Sequence, residues 1–199
     1  TLLQEHSLEN KVYLTYLCSC GNCKPQTYKG EKTFCELCGK MDMVLPQPSR
    51  PVGNDVLNNI YNLADVYVQY ANAGGFEIPQ IEAAACQLPV LATDYSAMTD
   101  VIRKIGGMPI RPISLQMEVE TGRYMAIPDG EHLINELEHL YNIGRTGRLL
   151  VGKNCLEQYK ENYGWDKSVE KWCIVFDQLE NREGWNLEPD LFSSEPFDN

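Results

Sequence analysis

The sequence predicts an α/β fold built on a doubly wound, parallel, Rossmann-like sheet, and three observations carry that expectation. Short segments such as KVYLTYL and PVLAT are apolar on both faces, as strands between two helix layers must be. Between them lie segments whose apolar residues recur at helical spacing, and strand and helix alternate over short links, which makes the crossovers right-handed. A glycine-opened loop then stands between one strand and the helix after it, where ligands of open α/β sheets sit.

Each element follows from local chemistry. Residues 1–7 read as the tail of a helix, and residues 11–17 as the first strand. A cysteine segment, residues 18–40, interrupts the pattern before a second short strand over 41–45. Pro46, Pro48 and Pro51 make a rigid connector. Asn54 is placed to cap a helix over 55–64, with Val56, Leu57, Ile60, Tyr61 and Ala64 on one face. Residues 65–71 form the third strand and lead into the glycine loop; Pro79 opens the next helix, and residues 89–93 return as a strand. Ser96 is a candidate cap for a helix in which Met98, Val101, Ile102 and Ile105 stand at i, i+3, i+4 and i+7, with Gly106 as its stop. Residues 113–120 and 124–128 read as a hairpin. Helices follow over 131–143, with Leu133, Leu137 and Leu140 inward, then over 147–163 and 166–179. The expected organisation is one domain over residues 1–179, interrupted by the 18–40 insertion, and an extended acidic tail over 180–199.

At 199 residues, with 43% hydrophobic and 10% aromatic residues, the chain is globular. Its net charge of −11 argues against nucleic acid as a partner, because phosphate-backbone affinity comes from clustered Lys and Arg. No apolar run approaches the ~18 residues of a transmembrane segment. The eight cysteines are unevenly spread in a chain too large to need staples, which points to reduced thiols and metal, and to a cytoplasmic protein.

Cys20-Gly-Asn-Cys23 and Cys35-Glu-Leu-Cys38 stand eleven residues apart. Two such pairs on tight turns bring four thiolates to a tetrahedral zinc at ~2.3 Å. The residues between them are too polar to form a core, so the metal would hold the loop together. Disulfides or four unrelated thiols are the alternatives. Four cysteine ligands leave no open position, so the expected cofactor is structural zinc at Cys20, Cys23, Cys35 and Cys38. Cys18 is a spare that in a second reading replaces Cys20; Cys86, Cys155 and Cys173 fall in helical apolar patterns and are read as packing residues.

The stretch at 73–94, AGGFEIPQIEAAACQLPVLATD, carries the functional expectation. Gly74 and Gly75 admit close approach of a ligand to the backbone, and Pro79 suits a first helical turn. The free amides of that turn favour an anion, and Glu82, one turn on, is placed to accept from sugar hydroxyls beside it. The run resembles the donor-site motif of retaining GT-B glycosyltransferases of the group 1 type, E-G-F-G-x-P-x-x-E-A-x-A-x-G-x-P-V, over Gly74, Gly75, Phe76, Glu77, Ile78, Pro79, Glu82 and onward to Val90. Residues 57–68 and 161–172 extend the likeness, which is to the C-terminal, donor-binding domain.

The resemblance implies that Glu82 binds the ribose hydroxyls of a nucleotide-sugar donor, with the amides from Gly75 to Ile78 against its diphosphate. It implies sugar transfer with retention, no catalytic metal, a preceding N-terminal acceptor domain, and a fragment inactive alone; catalytic residues stay unassigned. Gly74 replaces the family's first glutamate, which touches the donor sugar; Glu77 replaces its second glycine, and Gln87 the glycine before Pro-Val. Glu77 is expected to point outward as a solvated charge, the alternative being contact with the sugar in place of the glutamate absent at position 74. The rival expectation is a degenerate GT-B-like domain acting as an interaction or regulatory module. Asp94, Tyr95 and Ser96 either line the same crevice or form a capped turn, and His6, His132 and His139 read as surface groups.

Overall fold

The computed structural model describes residues 5–8, 11–12, 14–20, 23, 26–28, 34–40, 43–44 and 52–178, and the chain divides into two compact units after Ile60. The tail expected over 180–199 lies outside the described residues. In the first unit, strand β1 (Leu14–Cys18) pairs antiparallel with β2 (Gln26–Tyr28) on one side and β3 (Met43–Val44) on the other. The expected first strand of the parallel sheet is therefore the centre of a separate antiparallel sheet. Its neighbours are β2, which lies in sequence between the two cysteine pairs, and β3, which follows the second pair.

The second unit is built on a three-stranded parallel sheet of β4 (Tyr67–Gln69), β5 (Val90–Thr93) and β6 (Met108–Ile110), in that order. Helix α1 (Asn54–Leu63) precedes β4, α2 (Ile78–Ala85) connects β4 to β5, and α3 (Ala97–Lys104) connects β5 to β6. The hairpin of β7 (Pro112–Met117) and β8 (Tyr124–Pro128) follows. The chain then runs through α4 (Gly130–Asn142), α5 (Gly144–Asn162) and α6 (Trp165–Gln178).

All four residues of β5 are buried, and they divide the core by pleat. Val90 and Ala92 pack with Ala83, Ala84, Val101, Ile102, Ile105 and Cys155 on one face. Leu91 packs with Ile110 and Leu140 on the other, against Leu133 and Val151. Alternation along a strand does this wherever both faces are covered. Burying one such Leu or Ile fully contributes about 1.5–3 kcal/mol. The helical spacing at Met98, Val101, Ile102 and Ile105 was a core stripe, since all four are buried. Gly106 ends that helix at φ 64°, and Asp129 caps α4 by accepting from the His132 N–H at 3.0 Å. Leu140 is buried and Leu133 half-buried, but Leu137 is exposed, and so is Cys173, which was expected inside.

Candidate functional site

The carboxyl ends of β4 and β5 meet the loop over residues 70–77 and the first turn of α2. Asn72 fixes this loop to the hairpin in two directions: its carbonyl accepts from the Ala126 N–H at 2.8 Å, and its Nδ2 donates to the Ala126 carbonyl at 2.8 Å. Tyr70 Oη donates to the Pro128 carbonyl at 2.6 Å, and Tyr95 Oη to that of Tyr124 at 2.9 Å. The glycines of the loop are thus held between well-anchored neighbours.

Glu82 stands half-buried one turn into α2, and Tyr61 Oη donates to its Oε2 at 2.9 Å. Burial first, and the Glu82 carboxylate second, push the Tyr61 phenol above its ordinary value, so it remains a donor at neutral pH. Tyr67 is raised in the same way by burial and then by the carboxylates of Glu77 and Glu82. One tyrosine therefore orients Glu82, and the other lies in the field of both carboxylates.

Glu77 departs from expectation. It is half-buried, and Gln69 Nε2, at the end of β4, donates to its Oε2. A Cβ added at Gly74 would collide with the Glu77 carboxylate. The two motif departures are therefore linked sterically: the carboxylate at 77 fills the space that a side chain at 74 would need. Phe76 and Ile78 are exposed, and the Phe76 ring meets Tyr163 at 6.3 Å between centroids.

Buried polar atoms without a hydrogen-bond partner concentrate here. Among the described residues they are Gln69 Oε1, Gln80 Nε2 and Oε1, Thr93 Oγ1, Asp94 Oδ1 and Arg148 Nε. All but the last lie at the carboxyl ends of β4 and β5 or in the first turns of α2. Gln80 is fully buried. Each such group costs about 1–3 kcal/mol unless water or a ligand satisfies it. A family model described as glycosyl transferases group 1 matches residues 40–142, just over half of the chain. The chain belongs to the group 1 glycosyl transferases. No curated protein matches it. In this glycosyl transferase the matched span takes in the glycine loop, α2, β5 and Ser96, while the cysteines from Cys18 to Cys38 precede it.

Sequence reasoning missed the part that Ser96 plays. Its hydroxyl makes no cap bond to α3 and instead donates to the Gly74 carbonyl at 2.9 Å. Asp94, read from sequence either as a crevice residue or as part of a capped turn, pairs with Arg103 at 2.8 Å. His132 accepts from the Arg111 N–H through Nδ1 and meets Glu136 through Nε2 at 3.2 Å. A cavity of about 540 Å³ opens at the amino ends of β4 and β5, lined by Asp65, Gln87, Arg145 and Arg148 among others; it lies at the opposite end of the sheet from the glycine loop.

The cysteine cluster of the first unit is a second candidate site. The sulfurs of Cys18, Cys20, Cys23 and Cys38 all lie within 4.8 Å of one another, with Cys20–Cys23 at 3.3 Å, Cys18–Cys38 at 3.5 Å and Cys20–Cys38 at 3.9 Å. Ligands of one tetrahedral zinc at ~2.3 Å stand about 3.8 Å apart, so four thiolates fit the ion here. Cys18, at the end of β1, occupies the place that spacing gave to Cys35. Cys35 is fully buried and bears on the thiols of Cys18 and Cys23. The Cys18 thiol is pushed up to about 12: the Cys20 backbone N–H opposes the shift, but the neighbouring thiols and burial outweigh it. Cys23 is raised as well, by the Cys20 thiol first and Cys35 next. None of the eight cysteines is in a disulfide.

Proposed function

We propose that the glycine loop and α2 bind the nucleoside diphosphate of a nucleotide-sugar, as the donor half of a retaining GT-B glycosyltransferase. The observation that supports this most is the gathering of buried, unpartnered polar atoms around the loop, in a chain of this family. Glu82, oriented by Tyr61, accepts from the ribose hydroxyls. The amides from Gly75 to Glu77, before the positive end of α2, face the diphosphate, while the Ile78 N–H, which the motif would also offer, donates to the Phe76 carbonyl at 3.1 Å. Glu77, folded over Gly74, presents the carboxylate that the motif otherwise carries at position 74, and it approaches the donor sugar. The parallel sheet of the second unit carries the donor site, the 18–40 segment of the first unit is a zinc-binding insertion, and 180–199 is an extended tail. An N-terminal domain supplies the acceptor, so the reaction needs the larger cytoplasmic protein. Rate acceleration comes from positioning and from neutralising the departing diphosphate.

Calorimetry with UDP, ADP and GDP tests the reading. Hydrogen bonds to a charged group contribute about 1.5–3 kcal/mol, so Glu82→Gln is expected to weaken the best of the three at least tenfold. Glu77→Gly is expected to leave diphosphate affinity intact or raise it, because a carboxylate near a diphosphate repels by a few kcal/mol at an effective ε of about 20. The same variant would lower affinity for the full nucleotide-sugar. Failure of all three diphosphates to bind at millimolar concentration favours the second reading, an interaction or regulatory module, for which the exchanged residues at 74 and 77 speak.

A further inference from the structure

Ser96 adopts φ 58° and ψ −146°, a backbone region that belongs almost entirely to glycine. A serine at the start of α3 ordinarily turns its hydroxyl onto that helix's own amides, but this one spends it on the Gly74 carbonyl across the crevice, at 2.9 Å. The bond falls on a special peptide. Gly74 and Gly75 flank it, so neither side has a Cβ to resist rotation of the peptide plane. The peptide itself is planar and trans, so its oxygen and its N–H point in opposite directions. Fixing the oxygen against Ser96 therefore fixes the Gly75 N–H on the far side. A flip of the plane would exchange an amide donor for a carbonyl oxygen at the same place, which an anion repels.

We propose that Ser96 is a positioning residue that locks the Gly74–Gly75 peptide, so that the loop offers the Gly75 amide and not the Gly74 carbonyl to a diphosphate. This rests on the donor-binding reading above. The hydroxyl on the Gly74 carbonyl would also account for a non-glycine residue in so unfavourable a conformation, since no glycine at position 96 supplies that bond.

Two variants separate the lock from ordinary structural support. Ser96→Gly relieves the backbone and removes the hydroxyl; Ser96→Ala removes the hydroxyl and keeps the strain. Both are expected to raise the Kd of the tightest-binding of UDP, ADP and GDP about fivefold or more, although Ser96→Gly melts no lower than the parent. In nucleotide-free protein, the NMR order parameter of the Gly75 N–H should fall in both from the ~0.85 of rigid backbone. Unchanged affinity and an unchanged Gly75 order parameter in Ser96→Gly would overturn the proposal, as would a loss of affinity that only tracks a loss of melting temperature. If the parent protein binds none of the three nucleotides, the donor reading fails by itself. The order parameter then decides the lock: a fall in both variants supports it, and no change overturns it.

Discussion

Gly152 sits at the point where α5 crosses the turn between α2 and β5, and replacing it with alanine sets two effects against each other. In a helix interior the change gains about 1 kcal/mol, because glycine is the poorer helix former. The added Cβ would collide with the Gln87 carbonyl oxygen, 2.8 Å from the Gln87 carbonyl carbon and 3.3 Å from that of Leu88. These are backbone atoms of a turn already held at φ 62°, so they cannot swing aside as a side-chain tip can. Helix α5 must lift instead, loosening Cys155 and Tyr159 from the core they share with Val90 and Ala84. Overpacking of this kind costs about 1–3 kcal/mol and at times more. Against backbone atoms the cost falls in the upper part of that range, about 2–3 kcal/mol, so the net expectation is a loss of about 1–2 kcal/mol, seen as a drop of roughly 2–8 °C in melting temperature. Differential scanning calorimetry measures it directly. A rise in melting temperature would refute the reasoning, because it would mean that helix propensity outweighs the contact.

Two further expectations concern charge and metal. Asp129 is held below its ordinary value by the His132 N–H first and the Arg111 guanidinium next, so the stability it contributes is present above its unfolded value and lost as pH falls through the lower folded one. Asp129→Asn keeps a good cap but no charge, so its melting temperature should fall less than the parent's as pH drops below about 4; equal slopes would contradict this. Elemental analysis should find one zinc per chain in the parent protein, lost in Cys18→Ser and kept in Cys35→Ser; the reverse result would restore the paired C-x-x-C set of Cys20, Cys23, Cys35 and Cys38.

What the sequence determined by itself was whatever depends on neighbours along the chain. Helical spacing marked Met98, Val101, Ile102 and Ile105 as a core stripe, and the unbroken apolar run marked β5, because periodicity and burial are tied within one element. The glycine loop before α2 was legible for the same reason, since Gly74, Gly75 and Pro79 act locally. Pairing was not legible. β6 is three residues with a proline in the middle, too short for any period, and it exists because Leu91 and Thr93 of β5 pair with Met108 and Ile110. β1 looked like a parallel strand, and its antiparallel partners are set by contacts with β2 and β3 that no local pattern encodes. The site divides in the same way. Glu82 stood out only through the motif it belongs to, but Tyr61, which donates to its carboxylate, lies 21 residues away, and the Ser96 hydroxyl reaches back 22 residues to Gly74. Cys18 entered the thiol cluster because the end of β1 carries it there, and Glu77 turned inward because a glycine at 74 left it room. Side chains meet where the backbone brings them, and only the tertiary structure says where that is.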